Sequence, residues 1–121
     1  ITKKVTIIDF WASWCSPCRQ ANKKGLPEIY ESIKDNKDVR LISISIDKDW
    51  ARWTRAIIED NPAWPQFIDK DRVLVKLLAA YGVALYLVLN EESQVIFETM
   101  SHFHLGNFLD SLIKTQQNDS R

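Results

Sequence analysis

Two cysteines, the only ones in the sequence, stand three residues apart in the segment Trp14-Cys15-Ser16-Pro17-Cys18. Where such a pair opens a helix, the two Cβ atoms lie about 5–6 Å apart on one face, close enough to be bridged with little backbone movement. A helix N-terminus presents unpaired N–H groups and a partial positive charge, and both favour thiolate over thiol. Cys15 sits at that end, so its pKa is expected to fall below the about 8.5 of a free thiol. Cys18 lies one turn further in on the same face and is expected to be more shielded. Cys15 is therefore assigned as the nucleophile that attacks a partner disulfide, and Cys18 as the residue that resolves the mixed disulfide. Pro17 helps to fix the turn. Two other uses stay open at this point. One is a static bridge, although closing so short a loop gains little stability. The other is half of a zinc site completed by His102 and His104. Covalent haem attachment requires a histidine directly after the second cysteine, and Arg19 stands there instead.

The elements that must position this pair follow from apolar patterning. Val5–Trp11 is apolar, β-branched and aromatic, as a buried strand should be, with Asp9 as its one acidic interruption. Arg19–Lys34 reads as helical with a break near Gly25, and Pro27 opens the second piece at a tolerated first-turn position. Val39–Ile46 alternates apolar and small polar residues, the pattern of a central strand. Asp47-Lys48-Asp49 offers caps for a helix over Trp50–Glu59, which must stop before Asn61-Pro62. Ala63–Ile68 reads as a loop with room for a short extended piece. Arg72–Tyr81 is a predicted helix closed by Gly82. Leu85–Leu89 and Gln94–Met100 form a predicted antiparallel hairpin, and Asn107–Gln117 a terminal amphipathic helix ahead of a frayed tail. The order β-α-β-α-α-β-β-α predicts an α/β three-layer sandwich: a mixed sheet with parallel crossovers, an antiparallel edge and helices on both faces.

Composition agrees with one domain over residues 1–121. The chain is 45% hydrophobic and 26% charged, which excludes disordered and low-complexity classes. Sixteen basic and sixteen acidic residues leave a net charge of zero, so there is no field with which to hold nucleic acid. The apolar runs are far shorter than the about 18 residues of a membrane span. The chain opens at Ile1 rather than Met, which suggests a processed product whose signal or anchor segment has been removed.

The run Asp9-Phe10-Trp11-Ala12-Ser13-Trp14-Cys15-Ser16-Pro17-Cys18-Arg19 resembles the active-site segment of the thioredoxin superfamily, and most of all the TlpA/ResA-like thiol–disulfide oxidoreductases of bacterial envelopes. Tyr81-Gly82-Val83 is similar to the tripeptide that leads into the family's later active-site strand. The resemblance implies a thioredoxin-like fold and a redox-active Cys15–Cys18 disulfide exchanged with the thiols or disulfides of protein substrates. It implies a membrane or thioredoxin-type electron donor, no cofactor or metal, a monomer, and a cell envelope or periplasmic location. Asp9 matches the buried acid beneath the thioredoxin site. A carboxylate held among apolar residues has a raised pKa and can accept the proton of Cys18 near neutral pH. Trp14 and Pro17 are expected to shape the docking surface. For Trp11, core packing is at least as good a reading.

Two departures from the family stand out. The family places a cis-proline after the Tyr-Gly-Val segment, where its backbone pairs with the partner peptide. Here Val83-Ala84 runs into Leu85-Tyr86 without proline, about three residues short of the pattern. Ala84 and Leu85 are therefore the expected docking positions, with a short stretch expected to be missing between them. The second departure is Lys23, where the family has a helix-kinking proline; Gly25 and Pro27 move the kink later. Arg19 and Lys23–Lys24 are expected to form a solvated face, with Arg19 adding slightly to the positive potential at the thiols. His102 and His104 are expected in an exposed loop, and Trp50, Trp53 and Trp64 in packing against the sheet. Two alternatives remain: a peroxidase-like redoxin, although such sites rely on a lone cysteine preceded by Thr and Pro, and a non-catalytic binding domain with a static disulfide.

Overall fold

A computed structural model of the chain describes residues 4–119. Five strands, β1 (Val5–Trp11), β2 (Val39–Ser45), β3 (Gln66–Ile68), β4 (Leu85–Leu89) and β5 (Val95–Thr99), form one sheet in the order β3-β2-β1-β4-β5. Between and after them run α1 (Ser16–Lys23), α2 (Leu26–Ile33), α3 (Trp50–Asp60), α4 (Val73–Leu77) and α5 (His102–Asp119). β1 is the central strand, parallel to β2 and antiparallel to β4. All of it except Thr6 is buried, as a strand covered on both faces must be, and this explains its nearly unbroken apolar sequence.

Alternation places Asp9 and Trp11 on one face of β1 and Ile8 and Phe10 on the other. In register, Asp9 lies between Ser43 of β2 and Tyr86 of β4. On the Asp9 face α1, α2 and the start of α5 border a groove of about 850 Å³ that Tyr86 also lines. On the opposite face Leu74 of α4 borders a hollow together with Ile8, Ile42 and Ile44. The predicted mixed sheet with helices on both faces is thus the observed architecture. Phe10, Trp11, Leu26, Leu41 and Leu87 are fully buried, and each such side chain contributes about 1.5–3 kcal/mol relative to exposure.

The helical break falls where glycine and proline place it. α1 ends at Lys23, Gly25 takes φ +116°, and Pro27 sits in the first turn of α2. A side chain at residue 25 would meet the His102 ring at 2.6 Å, so glycine is needed here both for its backbone angle and for the space.

The short extended piece expected within Ala63–Ile68 is β3, which pairs in parallel with β2 at the sheet edge. Three other expectations need correction. The predicted helix over Arg72–Tyr81 shrinks to Val73–Leu77, because Arg72 and Ala79 adopt left-handed angles at either end. The last helix begins at His102 rather than Asn107, since the Ser101 hydroxyl accepts the His104 N–H as a cap. His102 and His104 are therefore helical rather than loop residues. Finally, the tail expected to fray is helical through Asp119 with Gln116 buried, while residues 120 and 121 lie outside the described residues.

Candidate active site

β1 delivers the chain into a tight turn, in which the Cys15 N–H bonds the Ala12 carbonyl at 3.1 Å. Ser13 is held there on every polar atom. Its N–H and hydroxyl donate to the Asp47 carboxylate at 2.9 and 2.7 Å, and its carbonyl accepts from Arg19 Nη1 at 3.0 Å. Asp47 is itself buried at the end of β2 and also accepts from the Ser45 hydroxyl. This frame fixes where Trp14 and Cys15 emerge.

Cys15 is the N-cap of α1, and its Sγ accepts the backbone N–H of Cys18 at 3.3 Å. The two cysteines form a disulfide with their Cα atoms 5.2 Å apart. Cys15 is 6% exposed and Cys18 1%, so the residue at the helix end is the more exposed of the two. Pro17 occupies the first turn, where its missing N–H costs nothing. Trp14 is 60% exposed beside the pair, whereas Trp11 is fully buried and belongs to the core.

Asp9 is 1% exposed. Burial pushes its carboxyl up from the usual range to about 7, opposed only in part by the Ser43 hydroxyl. That hydroxyl donates to Oδ2 at 2.6 Å, and Oδ1 has no hydrogen-bond partner among the described residues. Ser43 Oγ in turn accepts the Trp64 indole N–H at 2.7 Å. The Tyr86 hydroxyl across the strand is pushed above its ordinary pKa by burial and then by the charge of Asp9.

Arg19 does not serve as a free positive charge. Its Nε meets Asp60 Oδ2 at 2.6 Å and its Nη2 meets Asp60 Oδ1 at 3.0 Å and Glu59 Oε2 at 2.7 Å, so two carboxylates neutralise it. Burial pushes the Asp60 carboxyl up, but hydrogen bonds from Arg19 and Asn22 and the charges of Arg19 and Lys23 outweigh it and hold it below the ordinary range. The sequence reading of Arg19 as a contributor to local potential gives way to a clasp between α1 and the end of α3.

The Val83–Ala84 peptide is cis, and Ala84 precedes β4. Leu85 is fully buried and paired with Phe10, so it offers no atom to a partner, and Ala84 lies at the edge of the core. His102 packs its ring against Phe103, with centroids 4.2 Å apart. Among the described residues no three His, Cys, Asp or Glu side chains cluster in a way that could hold a metal. Trp53 and Trp64 are buried as expected, and Trp50 covers Trp53 edge to face at 4.9 Å while remaining exposed.

Sequence reasoning missed Ser43, Asp47, Asp60 and Trp64 as parts of the site. The available signal was the alternation Ser43-Ile44-Ser45 inside a central strand, which puts two hydroxyls on a buried face where they need partners.

A family model described as thioredoxin-like matches residues 3–85. The chain is 35% identical over 91 residues to a thioredoxin of Buchnera aphidicola subsp. Baizongia pistaciae, a match covering 74% of this chain and 79% of that protein. A thiol–disulfide oxidoreductase from Bacteroides fragilis superposes with a TM-score of 0.80 at 27% identity, covering 90% of this chain and 81% of that one. The C-terminal domain of a thiol–disulfide oxidoreductase from Bacteroides thetaiotaomicron gives the same TM-score of 0.80 at 26% identity, covering 94% and 80%. The chain belongs to the thioredoxin-like family, and its structural neighbours are thiol–disulfide oxidoreductases.

Proposed function

We propose that the chain exchanges a dithiol for a disulfide in partner proteins, with Cys15 as nucleophile, Cys18 as resolving thiol and Asp9 as proton acceptor. In the reducing direction the Cys15 thiolate attacks one sulfur of a partner disulfide. A Cys15–partner bond forms, the partner S–S bond breaks, and the partner's second sulfur leaves as a thiolate. Cys18 then gives its proton to Asp9, and its sulfur attacks Cys15 Sγ. The Cys15–Cys18 bond forms, the mixed disulfide breaks and the partner sulfur that Cys15 first attacked departs as a thiolate. Two electrons pass to the partner, and an external donor restores the dithiol. Run backwards, the same steps oxidise a partner.

The observation that carries this reading is Cys15 at the end of α1, with Sγ accepting an amide hydrogen and Cys18 one turn away. The same contact stabilises a thiolate in the reduced protein. Docking falls to exposed Trp14 and Pro17 together with Ala84, and its buried neighbour Leu85 serves as support. The resemblance to TlpA/ResA proteins supports a cell-envelope location, a membrane or thioredoxin-type donor and a monomer. Insulin-disulfide reduction with dithiothreitol as donor tests the proposal. Wild type should outpace Cys15→Ser by orders of magnitude; equal rates would remove the catalytic role and leave a static bridge.

A further inference from the structure

We infer that Ser43, its hydroxyl turned by Trp64, is a positioning residue for Asp9: it holds Oδ2 and leaves Oδ1 as the oxygen that receives the Cys18 proton. This rests on the proton-acceptor reading above and adds which atom acts and what orients it.

The argument is one of donor and acceptor accounting in a buried chain. An indole N–H can only donate. The Trp64 N–H at 2.7 Å therefore fixes Ser43 Oγ as its acceptor, and the single hydroxyl hydrogen is left to point at Asp9 Oδ2, 2.6 Å away. Were the acid proton to sit on Oδ2, two hydrogens would compete along one contact and the Ser43 hydroxyl would have to swing away. A proton on Oδ1 leaves the chain undisturbed. That oxygen is buried and has no partner among the described residues, so it is the free position.

The chain is anchored at each step. Asp9 and Ser43 are in-register neighbours on β1 and β2. The Ser43 N–H donates to the Pro65 carbonyl at 3.0 Å, which ties the Trp64 segment to the strand. Tyr30 of α2 meets the Trp64 ring with centroids 5.8 Å apart. Ser43 and Trp64 are both buried, so water does not compete for these bonds. The titratable group facing Asp9 from β4 is Tyr86, which stays neutral across the working range. Lys24, Glu28, His102 and Asp110, from the loop after α1 and from α2 and α5, border the groove that Tyr86 lines. Among the described residues no ion pair involves Asp9.

The test is the titration of the Asp9 carboxyl, followed by carbon-13 NMR in the oxidised protein, beside the pH profile of disulfide exchange. Ser43→Ala removes a donor to the ionised form and should raise the midpoint by about one to two units, a ten- to hundredfold change in the ionisation constant. Ser43→Thr keeps a hydroxyl and should titrate like wild type, which separates the hydrogen bond from packing. Trp64→Phe should move the midpoint less than Ser43→Ala and in the same direction. The exchange profile should shift in step with the carboxyl in each variant. An unmoved Asp9 midpoint in Ser43→Ala would overturn the inference. Asp9→Asn tests the underlying reading separately: an unchanged exchange profile there would overturn proton acceptance by Asp9, and leave the Ser43 contact structural.

Discussion

Replacing Asp9 by asparagine should make the oxidised protein gain stability relative to wild type as pH rises. Burial in the folded chain pushes the carboxyl up to about 7, against an ordinary value of 3.8. Between those two values the unfolded chain has released the proton while the folded chain still holds it. The folded state then binds more protons, so wild-type stability falls with pH, by about 1.4 kcal/mol per unit. Above the folded pKa both states are ionised and the penalty levels off. A gap of about three units amounts to about 4 kcal/mol. Asparagine cannot ionise and escapes the penalty. The mutant-minus-wild-type difference should therefore climb by about 4 kcal/mol from about pH 4 to about pH 8.5. Any cost of placing an amide beside the Ser43 hydroxyl displaces the whole curve without changing its slope. Urea unfolding at half-unit intervals with the disulfide intact measures it. A difference that stays flat over this range would refute the reasoning, because it would mean that burial does not hold the proton on Asp9.

Other perturbations read other parts of the site. Cys18→Ser should stop exchange after the first step, so that Cys15 accumulates as a mixed disulfide with a partner cysteine, detectable by mass under non-reducing conditions; Cys15→Ser should trap nothing. Arg19→Ala strips the bidentate partner from Asp60, whose side chain is fully shielded from solvent, and should cost about 1–3 kcal/mol in denaturant unfolding near neutral pH. Because Asp60 is held below the ordinary carboxylate range, its contribution is present above that range and fades as acid protonates it, so the loss should shrink toward about pH 3. Gly25→Ala should destabilise by about 1–3 kcal/mol through its positive φ and its contact with the His102 ring; adding His102→Ala should recover part of that loss and leave the backbone share.

The cysteine turn was legible from sequence because its chemistry is local: spacing, Pro17 and a preceding apolar strand specify it within eleven residues. The central strand and the break at Gly25 were legible for the same reason. Ser43 and Trp64 were not, since their meeting with Asp9 depends on the β1–β2 register and on where the chain returns after α3. Arg19 looked solvated because its partners lie forty and forty-one residues away. The start of α5 was masked by an apolar pattern that becomes regular only after Asn107, while the true cap, Ser101, sits beside two histidines. Leu85 could be offered as a docking position only while its burial was unknown.

The account stands most directly on which sulfur reacts and at what pH. In the fully reduced protein, iodoacetamide alkylation followed over pH, with the modified cysteine identified by peptide mass, reads both. Cys15 should be labelled first, with a midpoint clearly below the about 8.5 of an unperturbed thiol, while Cys18 stays unmodified. Labelling of Cys18 ahead of Cys15, or a Cys15 midpoint at or above that of a free thiol, would contradict it.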